Sequence, residues 1–195
     1  MEFLFLQTKI NERLKKLDVE DVKSLTKASK DIQKWITRAK LPQPLKKDIQ
    51  AAYTKMNGKG KCSVAVRSSA TAEDLEDASF AGQQDTFLNV SGVENVCSAV
   101  KNVFASIYTE RSIAYRAHHG FSHEEVAISA GIQHMIRADQ ASSGVLFTLD
   151  TESGFDGVIF ITASYGLGET IVQGNVSPDE FFVHKAMLKQ NKPAI

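Results

Sequence analysis

The sequence predicts a mixed α+β fold, and three observations predict it. Apolar residues recur at helical spacing up to about Met56, short β-type runs dominate after Cys62, and one long amphipathic helix interrupts those runs. The bulk composition is compatible with this. The chain has 195 residues, 23 Lys+Arg against 23 Asp+Glu, and 43% apolar residues, values that exclude a disordered tail, a collagen-like fibre or a disulfide-stapled miniprotein. The zero net charge conceals two unlike parts. Residues 1–61 hold 15 Lys/Arg and 7 Asp/Glu, whereas residues 62–195 hold 8 and 16. The reading of the domains follows the same line: a basic helical segment over 1–61, belonging to the same domain as the region 62–195.

The elements follow in order. From Val19 to Ala39 the residues Val19, Val22, Leu25, Ala28, Ile32, Trp35 and Ile36 form one apolar stripe with lysines on the other faces, the mark of an amphipathic helix. Leu41-Pro42-Gln43-Pro44 ends it, and Pro44 opens a second helix to about Met56, which Asn57-Gly58-Lys59-Gly60 terminates as a turn. Cys62–Val66 and Thr86–Val90 read as strands. A single helix is expected from Val93 to about His118, with Val93, Val96, Val100, Phe104, Ile107 and Tyr108 at helical spacing. Val126–Ile136 alternates cleanly, Gly144–Leu149 and Val158–Thr162 are apolar and β-rich, and Phe181–His184 closes the series.

Cys62 and Cys97 stand within apolar runs, without CxxC or histidine spacing, so buried thiols and a reducing compartment are expected. No apolar stretch is long enough to span a membrane, and the acid at Glu2 argues against an export signal.

Candidate chemistry concentrates in two places. Residues 67–85 make a long polar loop between two strands, a length uncommon unless it serves a site. Arg67, at a strand end beside Ser68, Ser69 and Thr71, suits phosphate oxygens, because a guanidinium presents paired donors. The alternative is a salt bridge to Glu73, Asp74, Glu76 or Asp77. The hydroxyls either donate to an anion or stabilise the loop through local turns, and Gly82 either admits a ligand or supplies a positive φ angle. The second place is Gly166-Leu-Gly168-Glu169 after an apolar strand. It resembles a phosphate-cradling turn without the third glycine of a dinucleotide fingerprint. Glu169 is either a ligand contact or an acid at a helix start. Ala141-Ser142-Ser143-Gly144 is either an anion contact or a simple turn. The five histidines assemble into no metal set, and His118 and His119 read as helix C-terminal residues. The lysine-rich face of residues 9–61 is read as a solvated surface, with a non-enzymatic basic helical binding module as the alternative of another class.

Taken together, Val64–Val90, Ser106–Arg116, Ala141–Phe147, Gly166–Glu169 and Val172–Glu180 strongly resemble the nucleotide-binding domain of the pyruvate phosphate dikinase and phosphoenolpyruvate synthase family. Asp150–Phe155 leans toward the synthase branch, with the rifampicin phosphotransferase branch as nearest competitor. The resemblance implies an ATP-grasp-like fold and an enzyme that splits ATP into AMP and two phosphate units. A histidine on a mobile domain is the carrier, and in the synthase branch pyruvate is the final acceptor. It implies that Arg67 holds the ATP phosphates, that Gly82 and Thr86 contact phosphate, and that Gln133 lines the nucleotide site. By the same resemblance Ser143 and Gly144 face the phosphates or base, and Glu169 contacts the adenosine end. ATP and Mg2+ are the implied cofactors, with magnesium ligands outside these residues. The expected partners are ATP and the phosphohistidine and pyruvate-binding domains of one longer enzyme, with no nucleic acid and no membrane. The family's upstream Gly-Gly-Lys segment has no counterpart before Arg67, and its magnesium cluster, carrier histidine and pyruvate-binding barrel have none in the chain. The expectation is therefore a partial ATP-grasp-like domain preceded by a helical segment, part of a longer enzyme and inactive alone.

Overall fold

The computed structural model describes residues 2–58, 62–70, 74–75, 78–79, 85–123 and 126–195. They are α+β, as the sequence predicts. In chain order the elements are α1 Glu2–Lys15, α2 Val22–Arg38, α3 Gln43–Asn57, β1 Val64–Ala70, β2 Asp74–Leu75, β3 Ala78–Ser79 and β4 Thr86–Val90. There follow α4 Val93–Ser106, α5 Glu110–His118, β5 Ile128–His134, a 3-10 turn Ala138–Gln140 and β6 Ser142–Phe147. The series ends with β7 Val158–Tyr165, α6 Glu169–Val172, β8 Asp179–His184 and α7 Lys185–Lys189. The chain forms two compact units, Met1–Met135 and Ile136–Ile195.

In the first unit the strand order is β4-β1-β5, antiparallel throughout. β1 alternates strictly. Val64, Val66 and Ser68 are buried, whereas Arg67 and Ser69 are exposed, as a sheet with one covered face requires. The covered face packs on α4 through Val96, Cys97, Val100 and Val103, with Ile49 and Tyr53 of α3 closing the edge. Both cysteines are free and buried. Tyr53 donates its hydroxyl proton to the Cys62 carbonyl and accepts from the Gly92 N–H, fastening α3 to the end of the sheet where β1 begins and β4 finishes.

A second apolar cluster joins Ile10 and Leu14 of α1, Leu25 and Ile32 of α2, and Ile107, Tyr108 and Ile113. The sequence reading takes residues 1–61 as helical without setting the bounds of a helix before Val19; α1 fills that stretch because Leu6, Ile10 and Leu14 recur every fourth residue and cover α2. α2 starts at Val22, three residues later than expected, because Asp21 adopts an extended N-cap geometry and accepts from the Lys23 N–H. Replacing Asp21 by alanine is expected to cost about 1 kcal/mol, read as a lower unfolding midpoint with unchanged denaturant slope.

The single helix expected over 93–118 is broken. α4 ends at Ser106 and α5 begins after Thr109, whose side chain caps by accepting from the Ser112 N–H. The Tyr108 carbonyl at the break accepts from the Ser29 hydroxyl and the Gln33 amide of α2. Helix continuity is lost at residues 107–109, and hydrogen bonds from a neighbouring helix replace it.

Arg116 of α5 is 1% exposed. Its Nε donates to His123 Nδ1 at 2.9 Å, and its guanidinium stands 5.6 Å from the Tyr108 ring centroid. Burial, with Arg116 as the second cause, pushes the His123 pKa down to about 4. The unfolded chain binds this proton near the usual pH of about 6.5 and the folded chain does not. Stability is therefore fully present above pH 6.5 and falls as pH drops toward 4. The loss, discounted for solvent screening, is on the order of 1–2 kcal/mol. Urea midpoints measured across that range should fall with pH in the native chain and stay flatter in His123→Asn.

The second unit is a three-stranded antiparallel sheet, β6-β7-β8. β7 is longer than expected, running to Tyr165, and its register places Ser143 opposite Ser164 and Gly144 opposite Ala163. Phe160 stacks on Phe182 with centroids 4.8 Å apart.

Candidate functional site

β1 carries the candidate site because its alternation sends every second residue away from the core. Arg67 is paired with Thr86 of β4 and with Gly131 of β5, so the three share the exposed face. Gln133, two residues beyond Gly131, lies on that face too, opposite Ala65. The structure therefore brings together Arg67, Thr86 and Gln133, three of the residues singled out in the sequence. Gly82 lies outside the described residues, as does most of the loop after Ala70.

The register adds residues that sequence reasoning missed. Ser129 faces Ser69 beside Arg67, and its hydroxyl donates to the Ser69 carbonyl at 3.2 Å. Gly131 lies under the Arg67 stem. A Cβ built there would stand 3.7 Å from Arg67 Cγ. The alternation of β5 is legible in one sequence, but which of its residues sits beside Arg67 depends on strand register. The two serines after Arg67 also separate here. Both belong to β1 rather than to a loop turn; Ser68 is buried toward the core, and Ser69 accompanies Arg67.

This face is chemically uniform. None of the three strands contains Asp or Glu, and among the described residues Arg67 has no carboxylate partner. The loop acids weighed as its salt-bridge partners, Glu73, Asp74, Glu76 and Asp77, have no described side chains. A planar guanidinium flanked by a threonine hydroxyl, the Ser69 hydroxyl and a carboxamide is a donor set for phosphate oxygens, not for a metal ion. Among the described residues no group of three or more His, Cys, Asp or Glu is placed to hold a metal.

Ser143, Gly144 and Glu169 belong to the second unit. Ala141–Gly144 is not a free turn, since β6 begins at Ser142. Gly144 meets β7 so closely that a Cβ would lie 2.1 Å from the Thr162 carbonyl oxygen. The Gly166-Leu-Gly168 turn packs over Ser143, with a Cβ at Gly168 falling 3.5 Å from Ser143 Cβ. Gly166 has φ +87°, a conformation that favours glycine, and its N–H donates to the Ala141 carbonyl. Glu169 occupies the first turn of the short α6 and accepts from the Gln173 amide at 2.9 Å.

The histidines occupy local structural roles. His119 ends α5 and stacks on Tyr115, and His184 caps α7 by accepting from the Met187 N–H. His134 Nδ1 lies 3.1 Å from Cys62 Sγ, a contact between distant positions that spacing does not reveal.

Comparison with known proteins identifies the family to which this α+β chain belongs. Residues 2–195 match the family model described as pyruvate phosphate dikinase, AMP/ATP-binding domain. The chain belongs to that family of nucleotide-binding domains. It is 58% identical over 193 residues to the phosphoenolpyruvate synthase of Neisseria meningitidis, covering 97% of this chain and 24% of that protein. The Pseudomonas aeruginosa phosphoenolpyruvate synthase is 56% identical over 191 residues, and that of Escherichia coli 55% over 188, covering 97% and 96% of this chain and 24% of each protein. The chain thus spans about a quarter of the length of these relatives. No helix among the described residues is long and apolar enough to cross a membrane.

Proposed function

We propose that the chain is the ATP-binding portion of a cytoplasmic phosphoenolpyruvate synthase (pyruvate, water dikinase). The whole enzyme converts ATP, pyruvate and water to phosphoenolpyruvate, AMP and phosphate through a phosphohistidine carrier. The carrier and the pyruvate-binding domain lie elsewhere in the longer protein, and residues 1–61 and 62–195 form one nucleotide-binding domain. The observation that carries this reading is the exposed face on which Arg67, Thr86 and Gln133 converge, in a family whose members bind AMP or ATP.

Each residue has a stated task. Arg67 binds two phosphate oxygens at once and stabilises charge that develops on them during transfer. Thr86 donates its hydroxyl to phosphate from the neighbouring strand, and Gly82 approaches the same group through its backbone. Gln133 orients the nucleotide by its carboxamide. Ser143 and Gly144 face the phosphates or base of the nucleotide, and Glu169 contacts its adenosine end. Mg2+, held by groups outside this chain, supplies charge neutralisation at the β- and γ-phosphates.

The test is an ATP titration of the 195-residue chain followed by backbone amide shifts. Saturable shifts confined to residues near Arg67, Gly82 and Gln133 are expected, and no shifts at millimolar ATP would sink the site. Pyruvate-dependent AMP formation by the isolated chain would overturn the division of labour.

A further inference from the structure

The basic character of the N-terminal segment is not absorbed by the nucleotide face, which lies on the opposite side of the first sheet from α4. Three of its cations join Lys101 of α4 around a cavity of about 540 Å³ where the end of α2 and the start of α3 meet α4. Arg38, Lys40, Lys46 and Lys101 line it, and Glu94 is the one acid among its lining residues. Glu94 is already engaged, with Lys46 Nζ at 2.7 Å. Lys101 Nζ donates to the Thr37 carbonyl at 2.6 Å, which covers one of the carbonyls left over at the end of α2. Arg38 and Lys40 are exposed, and among the described residues their side chains make no hydrogen bond or ion pair.

We infer that this cavity is a second anion site, built for a small phosphomonoester. The charge count selects the class. Four cations against one carboxylate leave the lining at a net +3, because the bond from Lys101 to a neutral carbonyl cancels no charge, and a phosphomonoester carries about −1.5 to −2 at pH 7. A simple carboxylate carries about half that charge and leaves more of the excess unmatched. The floor supports a short carbon body rather than a bare ion, because Leu41, Ala39 and the buried Cys97 line it. The cavity lies within the size range of small-molecule sites. The start of α3 contributes in the same sense. Its N-cap is Pro42, which offers no side-chain acceptor, so the first-turn dipole is not countered there. The site is independent of the nucleotide reading, since it shares no residue with the Arg67 face.

The experiment titrates the 195-residue chain with glycerol 3-phosphate and inorganic phosphate, with glycerol and acetate as controls, at low and at physiological ionic strength. Saturable amide shifts confined to residues 38–46 and 94–101 are expected for glycerol 3-phosphate, weaker for phosphate and absent for glycerol. The double variant Arg38→Gln/Lys40→Gln should bind roughly tenfold or more weakly, and Ser98→Glu, which adds an acid at the rim, should do the same. Both should melt as the parent does. Arg67→Ala should leave this binding unchanged while weakening the ATP response, which separates the two sites. No saturable shift up to tens of millimolar overturns the proposal. So do shifts spread over all the basic helices that vanish at physiological salt, the mark of a diffuse counter-ion cloud. Retention on nucleic acid that the double variant loses also overturns it, by showing a polyanion surface instead.

Discussion

Arg67→Ala is expected to weaken ATP binding by roughly 10- to 100-fold while leaving the melting temperature within about a degree or two. The affinity loss follows from removing a bidentate, charge-assisted donor pair. The unchanged stability follows from position: Arg67 is exposed, its stem rests on Gly131, and no described carboxylate is left unpaired by its removal. In the longer enzyme the loss should exceed the affinity change, about 10²- to 10³-fold in AMP formation, because charge developing on phosphate draws more from the guanidinium than the ground state does. Arg67→Lys should recover only part of either, since an ammonium keeps the charge and loses the fork. Calorimetric titration beside a thermal melt decides the matter. A variant that melts early but binds ATP normally would show that Arg67 serves the loop acids instead.

The second large effect concerns stability rather than binding. Gly144→Ala should destabilise the second sheet by about 2–4 kcal/mol. The added Cβ would meet the Thr162 carbonyl oxygen at 2.1 Å and Ala163 Cα at 3.0 Å, both backbone atoms of the central strand. No rotamer change relieves such a contact, so β6 and β7 must part where Gly144 faces Ala163. Amide hydrogen exchange should quicken across β6 and β7 and stay unchanged in β1 and β5. Equal protection in parent and variant would mean that the strands approach less closely than the geometry requires. Because Gly144 is also a proposed nucleotide contact, loss of ATP binding in this variant counts for the site only if exchange protection survives.

Much of the frame is legible in the residue pattern. β4 runs over Thr86–Val90 as its apolar run predicts, and α3 follows from Pro44 and the Asn57-Gly58 turn. The failures have local causes. The stripe that continues through Ile107 and Tyr108 reads as one helix, but Thr109 is a better cap than a helix interior residue, and α2 supplies donors for the freed carbonyl. α1 lies within the stretch read as helical, but its every-fourth-residue pattern is too short to set its bounds. For the site, one strand's alternation identifies Arg67 as outward, and nothing in a single sequence pairs it with Thr86, Gly131 and Ser129. That information is non-local, carried by the register of two antiparallel ladders.

The β4–β1 ladder contains one irregularity. Val64 pairs with Val90 and Val66 with Phe87, so Leu88 and Asn89 together oppose Ala65, with Asn89 at φ 57°. Without that extra residue, Phe87 and Val90, an odd number of positions apart, would point to opposite sides. With it both reach the core while Thr86 stays beside Arg67. The strand is thereby constrained in length more tightly than in composition. Position 89, at φ 57°, favours Asn, Asp or Gly and position 88 asks less of its side chain, but removing one of the two would turn either the packing half or the exposed half of β4 inside out. Over evolutionary time this segment should therefore accept exchange at position 88 more readily than the loss of either residue.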